Sequence, residues 1–130
     1  MKPRNKIIKL LVTDDHEDIL ELIDDILEGD AEVDLKTSSS GKNTLEILKG
    51  EKFGLILIDY FMPDMNGVEV IKAIRGGPGP NMDTPFVIFS GFVEEAQSLL
   101  KGVDKVVYID KPVDINHFKY AVKSAFSIKF

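Results

Sequence analysis

The segment GLILIDYFMPDMNG, residues 54–67, begins with a short run of branched apolar residues and ends in turn-forming ones. An apolar run of this length predicts a strand buried on both faces, as in a parallel sheet. Asp59 follows the run directly, so its carboxylate is expected at the carboxyl end of that strand. Asn66 is placed to cap a following helix. The apolar positions of that helix are Val68, Val70, Ile71 and Ile74.

The alternation of strand and helix continues in both directions from this segment. Similar runs predict buried strands at Ile7–Val12, Phe86–Phe89 and Val106–Ile109, and a weaker alternating run predicts an edge strand at Ala31–Thr37. Amphipathic helical spacing fills the intervals, and a last helix is opened by Asp114. Five β-α units predict an α/β fold with a doubly wound, five-stranded parallel sheet and right-handed crossovers.

Length and composition limit the classes of protein to consider. A chain of 130 residues is expected to form a single domain over residues 1–130, with no output domain attached. The net charge of −6 disfavours direct binding to nucleic acid. No segment has the length and apolarity of a signal peptide or a membrane span, so no membrane insertion and a cytoplasmic location are expected. The absence of cysteine excludes disulfides and thiolate metal sites.

Polar residues follow four of the predicted strands at their carboxyl ends. Asp14 and Asp15 follow the first strand, Asp59 the third, Ser90 the fourth and Lys111 the fifth. With strand order 2-1-3-4-5, the first and third strands are neighbours, and the three carboxylates would share one pocket at the ligand-binding edge of the sheet. A hard dication such as Mg²⁺ would relieve their repulsion, and a carboxylate can attack phosphorus to form an aspartyl phosphate.

Each of these residues alone has an ordinary structural explanation, such as a helix cap, a turn or a surface lysine. The functional interpretation depends on their joint placement. His16 and His117 are interpreted as solvated or partly buried helix residues rather than ligands, because they are distant in sequence and lack spacing partners.

The motifs and their order resemble the receiver domain of two-component response regulators, in its single-domain, chemotaxis-regulator-like form. The resemblance covers about residues 6–127 and implies the flavodoxin-like (βα)5 fold. It is carried by LVTDD at 11–15, LID at 57–59, MPDMNG at 62–67, TPFVIFS at 84–90 and KP at 111–112.

The resemblance implies a role for each residue of the pocket. Asp59 corresponds to the family's phosphoacceptor, and Lys111 to the lysine that contacts the phosphoryl group. Asp14 and Asp15 correspond to the acidic pair that binds Mg²⁺ or Mn²⁺ together with Asp59, and the backbone carbonyl of Phe61 could complete that site.

The resemblance also implies a switch and its partners. Ser90 and Tyr108 correspond to the hydroxyl and aromatic switch positions, and the Lys111–Pro112 peptide bond is expected to be cis. Phosphate would come from a histidine kinase or a histidine phosphotransfer protein. The face formed by the fourth helix, fifth strand and fifth helix would then change for a downstream protein target. The oligomeric state is left open, because many receivers dimerise only when phosphorylated.

Phe61 and Phe92 depart from the commonest pattern of the family, in which the corresponding positions flank the phosphoryl group. Neither side chain can position a water molecule by hydrogen bonding. Our hypothesis is that both rings shield the acyl phosphate and lengthen its lifetime.

Two other functional classes remain as alternatives. An aspartyl-phosphate hydrolase uses similar chemistry, but usually separates its two acids by one residue after the first strand, whereas Asp14 and Asp15 are adjacent. A binding scaffold that never accepts phosphate is disfavoured by the complete acidic set and by Lys111. The sequence could also be a piece cut from a longer protein.

Overall fold

The computed structural model describes residues 8–27 and 33–111, in which strands and helices alternate as predicted. In chain order, the elements are β1 (Ile8–Thr13), α1 (Glu17–Leu27), β2 (Val33–Ser38), α2 (Gly41–Gly50), β3 (Leu55–Asp59), α3 (Gly67–Arg75), β4 (Phe86–Ser90), α4 (Val93–Leu99) and β5 (Val106–Asp110). The predicted last helix lies outside the described residues. No helix within the two described ranges is long and apolar enough to cross a bilayer.

The five strands form one parallel sheet in the order β2-β1-β3-β4-β5, which confirms the predicted doubly wound, flavodoxin-like fold. β3 and β4 are buried at every residue because they lie inside the sheet, with apolar side chains on both faces. β2 pairs with β1 at one edge, as its weaker pattern predicted. β5 forms the other edge and is mostly half-buried, so the prediction that Val106–Ile109 is buried on both faces was wrong. Thr13 of β1 pairs with Ile58, and Asp59 with Phe89, so the carboxyl ends of three strands meet at one edge.

Alternate residues of the central strands build two cores on opposite faces of the sheet. Leu55 and Leu57 of β3 pack on the face that contains Ile23 of α1. Ile56 and Ile58 pack on the other face with residues of α2, α3 and α4. Those helix residues include Leu48, Val68, Val70, Ile71, Ile74 and Ala96. Burial of both sets fixes the register, since a shift of one residue would exchange the two faces.

Asn66 caps α3 as predicted and places its first residue against β3. The Asn66 side chain accepts a hydrogen bond from the Glu69 N–H at 2.8 Å, and the Glu69 carboxylate accepts one from the Asn66 N–H at 2.9 Å. At the next residue, Gly67, a Cβ atom would lie only 2.6 Å from the carbonyl oxygen of Asp59. Glycine is therefore needed for α3 to begin so close to the backbone of Asp59.

Hydrogen bonds to Asp64 connect the loop between β3 and α3 to the start of α2. The two carboxylate oxygens of Asp64 accept hydrogen bonds from the N–H groups of Gly41 at 3.0 Å and Lys42 at 2.9 Å. The hydrogen bond from Lys42, followed by that from Gly41, lowers the pKa of Asp64. The charged form of Asp64 therefore stabilises the position of this loop.

Candidate functional site

A cluster of charged side chains lies at the ends of β1, β3 and β5. The Lys111 Nζ atom lies 2.9 Å from Asp59 Oδ1 and 3.6 Å from Asp14 Oδ2. Asp14 and Asp59 are buried, whereas the Lys111 side chain is 26% exposed. The Lys111 N–H donates to the Ser90 carbonyl at 3.0 Å, which continues the pairing of β4 with β5 and directs the lysine to the pocket. The sequence predicted this juxtaposition.

The electrostatic balance of the pocket is negative. Burial raises the pKa of Asp59 above its ordinary value, and the charges of Asp14 and Asp15 raise it further. The hydrogen bond from Lys111 opposes this shift by favouring the carboxylate. Among the described residues, one ammonium group thus faces three acids, and this excess of negative charge can hold a further cation.

Two carboxylate oxygens of the pocket are candidate ligands for such a cation. Among the described residues, Asp14 Oδ2 and Asp15 Oδ1 accept no hydrogen bond although both atoms are buried. Buried acceptors are normally paired, so an orphan pair points to a ligand. Ligand atoms of Asp14, Asp15, Asp59 and His16 all lie within 4.8 Å of one another. This donor set of oxygens with one nitrogen fits a divalent metal ion.

His16 also belongs to the cluster, although the sequence did not predict it as a member. Its side chain is 59% exposed, consistent with the predicted solvation, but its Nδ1 atom lies 2.9 Å from Asp14 Oδ1 and 3.2 Å from Asp15 Oδ1. The His16 N–H also donates to Asp14 Oδ1 at 2.9 Å. The hydrogen bond with Asp14, then the charges of Asp15 and Asp14, raise the pKa of His16. Its adjacency to Asp14-Asp15 was the available signal.

The two predicted switch residues lie on neighbouring strands. Ser90 is buried at the end of β4, and its Oγ atom accepts a hydrogen bond from the Phe92 N–H at 2.7 Å. Tyr108 lies on β5, paired with Ile88, and is half-buried, which raises its pKa. The bond from the Phe92 N–H uses only a lone pair of Ser90 Oγ, and no described residue accepts a hydrogen bond from the Ser90 hydroxyl.

Two exposed aromatic rings lie together on the loops that follow β3 and β4. Phe61 and Phe92 are 53% and 57% exposed, and their ring centroids are 5.5 Å apart in an edge-to-face arrangement. Phe61 also stacks on Tyr60, with centroids 4.5 Å apart. The two positions that the sequence analysis linked to phosphoryl lifetime are therefore in direct contact.

A hydrogen bond from Tyr60 to Glu95 links the residue after β3 to α4, and no sequence pattern predicted it. Tyr60 directly follows Asp59 and is 3% exposed. Its hydroxyl donates to a carboxylate oxygen of Glu95 in the first turn of α4. This bond, with burial as a smaller cause, raises the pKa of Tyr60 to about 12. The start of α4 is thus tied to the residue beside Asp59.

The Tyr60–Glu95 bond predicts an unusually basic phenol. Tyrosine ionisation, followed by ultraviolet absorbance, should include one group that titrates near 12, and Tyr60→Phe should remove it. Glu95→Gln should move that ionisation toward the ordinary value of 10.0. Since the folded pKa is raised, the bond stabilises the fold below pH 10 and is lost as the pH rises towards 12. An ordinary pKa at Tyr60 in the wild type would contradict this assignment.

Two predicted features remain without a structural test. The role of the Phe61 carbonyl as a metal ligand stays a prediction. Pro112 lies outside the described residues, as does His117, so the expected cis bond between Lys111 and Pro112 also stays a prediction.

Comparison with known proteins agrees with the fold. The family model of the response regulator receiver domain matches residues 10–123. Transcriptional regulatory protein SpaR of Bacillus subtilis is 34% identical over 120 residues, which cover 89% of this chain and 50% of SpaR. The chain spans about half or less of the length of the first curated relatives it matches.

Solved receiver structures superpose over nearly the whole chain. The Francisella response regulator 1452 receiver domain has a TM-score of 0.78 and 26% identity, covering 95% of this chain and 99% of that one. The chemotaxis response regulator CheY4 of Vibrio cholerae, at 24% identity, shares the fold with a TM-score of 0.81 and covers 92% of this chain and 99% of its own. The chain belongs to the response regulator receiver domain family of two-component signalling.

Proposed function

We propose that this receiver accepts a phosphoryl group on Asp59 from a histidine kinase or a histidine phosphotransfer protein in the cytoplasm. The observation that carries the proposal is the 2.9 Å contact between Lys111 Nζ and Asp59 Oδ1. It lies beside two buried carboxylate oxygens that, within the described part of the chain, accept no hydrogen bond. Such a pocket has a nucleophile, a fixed positive charge and ligands for a dication.

In the proposed reaction, an Asp59 oxygen attacks the phosphorus of a phosphohistidine. The new O–P bond forms as the P–N bond breaks, and the donor imidazole leaves with the electron pair. Lys111 stays within reach of the transferred group and offsets the charge of its oxygens. Mg²⁺ or Mn²⁺, held by Asp14, Asp15, Asp59 and the Phe61 carbonyl, would supply further charge neutralisation when bound.

The phosphorylated form is proposed to signal through protein contacts rather than catalysis or direct nucleic-acid binding. Ser90 would donate its hydroxyl proton to a phosphoryl oxygen, and Tyr108 would rotate towards Ser90. The bond from Tyr60 to Glu95 supports a response in α4, because it joins that helix to the residue beside Asp59. The output face would include α4, β5 and the following helix, and would bind a downstream protein or a second copy of the chain.

The proposal is tested by incubating the protein with acetyl phosphate and Mg²⁺ and then measuring the intact mass. A receiver gains one phosphoryl group per chain, and the gain requires a divalent cation. A binding scaffold gains none at any Mg²⁺ concentration. Sustained turnover of a phosphoester, without accumulation of a modified chain, would instead indicate a hydrolase.

The contact between Phe61 and Phe92 predicts a long-lived acyl phosphate. Phe61→Asn and Phe92→Asn should each speed dephosphorylation by about tenfold, less than the roughly hundredfold or more of a well-positioned general base, because an amide only orients water. Decay of the phosphorylated mass over time measures the rate. Met82→Asn is the matched control, since Met82 is also an exposed large apolar residue but lies in the loop after α3. Equal decay rates in all four proteins would exclude shielding.

A further inference from the structure

We propose that the His16 imidazole is a further protein ligand of the dication site, in addition to those named above, so that this receiver binds nitrogen-accepting dications such as Ni²⁺ and Zn²⁺ more tightly than Mg²⁺. The inference deepens the proposed function, since it rests on a metal site formed by Asp14, Asp15 and Asp59. It assigns a binding role to a side chain that the proposed phosphoryl transfer does not use.

The positions of the donor atoms support this role. Nδ1 of His16 lies 2.9 Å from Asp14 Oδ1 and 3.2 Å from Asp15 Oδ1. Ligands bound about 2.0–2.2 Å from one ion are separated by roughly 3 to 3.5 Å when they are neighbours in its coordination shell. The imidazole and the two carboxylates therefore already have the spacing of a shared ion. The Asp59 carboxylate is within 4.8 Å of the same atoms.

A second observation shows that the cluster has an open coordination position. Asp14 is fully buried, and its Oδ2 atom accepts no hydrogen bond from any described residue. Lys111 Nζ, at 3.6 Å from this oxygen, is beyond hydrogen-bond distance and is already bonded to Asp59. The 3.6 Å ion pair with Lys111 therefore offsets the charge of this buried oxygen without a hydrogen bond, and an ion between the oxygen and His16 would add a directly bound positive partner.

A nitrogen ligand changes the relative affinities of the site for different dications. Mg²⁺ prefers oxygen ligands and usually keeps several water molecules, whereas imidazole favours Zn²⁺, Ni²⁺ and Cu²⁺. The His16 side chain is 59% exposed, so its ring has freedom to adjust to an ion. An ion bound at Nδ1 would replace the proton that this nitrogen shares with Asp14, and that proton would pass to solvent.

The alternative role for His16 is that of a hydrogen-bond donor that orients Asp14, outside the coordination shell of the metal. The two roles differ in a measurable way. If His16 only orients Asp14, it should increase the affinity for every dication to a similar degree. The amide of a glutamine at position 16 should then provide part of the same hydrogen bonding. A ligand supports only those ions that accept nitrogen.

The test compares the full-length wild type with His16→Gln and His117→Gln, which removes the only other histidine of the chain. Ni²⁺, Zn²⁺ and Mg²⁺ affinities are measured by titration calorimetry. The wild type should bind Ni²⁺ more tightly than Mg²⁺, and His16→Gln should lower the Ni²⁺ to Mg²⁺ affinity ratio by about tenfold or more. His117→Gln should keep the wild-type ratio. Pulsed electron paramagnetic resonance of Mn²⁺-loaded protein should show an imidazole nitrogen coupling that only His16→Gln removes.

Two results would overturn the inference. One is a Ni²⁺ to Mg²⁺ affinity ratio that does not change in His16→Gln, whether both affinities fall equally or neither falls. The other is the absence of an imidazole nitrogen coupling in the Mn²⁺-loaded wild type. Either result leaves the proposed function intact if Mg²⁺ still binds and Asp15→Asn abolishes that binding. Mg²⁺ binding that survives in Asp15→Asn would count against the proposed metal site itself.

Discussion

Asp59→Asn is expected to abolish phosphorylation by acetyl phosphate while making the metal-free protein more stable. An amide cannot act as the nucleophile, so the gain of one phosphoryl mass should vanish. The stability change follows from the raised pKa of Asp59, which means that its charged form is disfavoured in the fold. Such a carboxyl group stabilises the fold below the ordinary aspartate pKa, and this contribution is lost as the pH rises. Asparagine carries no charge at any pH.

The expected gain at neutral pH is about 0.5–2 kcal/mol in the free energy of unfolding. It should lie in the lower part of that range, because Lys111 loses its ion pair with the Asp59 carboxylate and, of its ion pairs with described residues, retains the one with Asp14. Chemical denaturation in the presence of a chelator measures this change, and intact mass measures the phosphorylation.

Asp64→Asn is the matched control, since Asp64 lies in the loop after β3 but binds the N–H groups of α2. Its pKa is lowered by those bonds, so removal of its charge should decrease stability and leave phosphorylation in place. Phosphorylation of Asp59→Asn, or a stability loss of the same size in both variants, would contradict the assignment.

Asp15→Asn is expected to have the second largest effect, a severe loss of Mg²⁺ affinity. Mutation of a residue that only hydrogen-bonds to a metal ligand typically lowers metal affinity by roughly 10- to 100-fold. Asp15 is itself a proposed ligand and carries a charge, so its loss should lower Mg²⁺ affinity by about 100-fold or more. In the metal-free protein, Asp15 Oδ1 is buried, accepts no hydrogen bond from the described residues and faces two other acids, an unfavourable arrangement that the exposed His16 imidazole at 3.2 Å offsets in part. Neutralisation of Asp15 should therefore stabilise the protein without metal.

The loss of Mg²⁺ affinity and the gain in metal-free stability can be measured separately, because Mg²⁺ binding adds to the free energy of unfolding. At a free Mg²⁺ concentration of ten times its Kd, binding adds about 1.4 kcal/mol to the stability of the wild type. Asp15→Asn should be more stable than the wild type with chelator present, but should gain nothing from Mg²⁺. Asp24→Asn, which removes an exposed acid from α1, should keep the wild-type response to Mg²⁺. A Mg²⁺-dependent gain of wild-type size in Asp15→Asn would place the metal elsewhere.

The sequence was sufficient for the sheet and for most of the pocket because both follow from backbone periodicity. Fully apolar runs identified β3 and β4 as inner strands, and alternation identified β2 as an edge strand. Parallel strands bring all their carboxyl ends to one edge, so polar residues after those runs had to converge. The contact of Lys111 with Asp59 and Asp14 follows from this geometry.

Contacts that depend on side-chain rotamers or on the course of loops were beyond sequence reasoning. The contact of the His16 ring with Asp14 depends on the rotamer of the His16 side chain. The bond from Tyr60 to Glu95 joins residues 35 apart in sequence. The capping of α2 by Asp64 depends on how the loop after β3 crosses that helix. None of these contacts leaves a periodic pattern in the sequence.

Trapping the modified residue shows whether Asp59 receives the phosphoryl group. Phosphorylated wild-type protein is reduced with borohydride, which converts an aspartyl phosphate to homoserine, and is then digested and sequenced by mass spectrometry. We expect homoserine at position 59 and unmodified aspartate at Asp14 and Asp15. Homoserine at either of those two residues, or a phosphorylated chain without homoserine at position 59, would contradict this expectation.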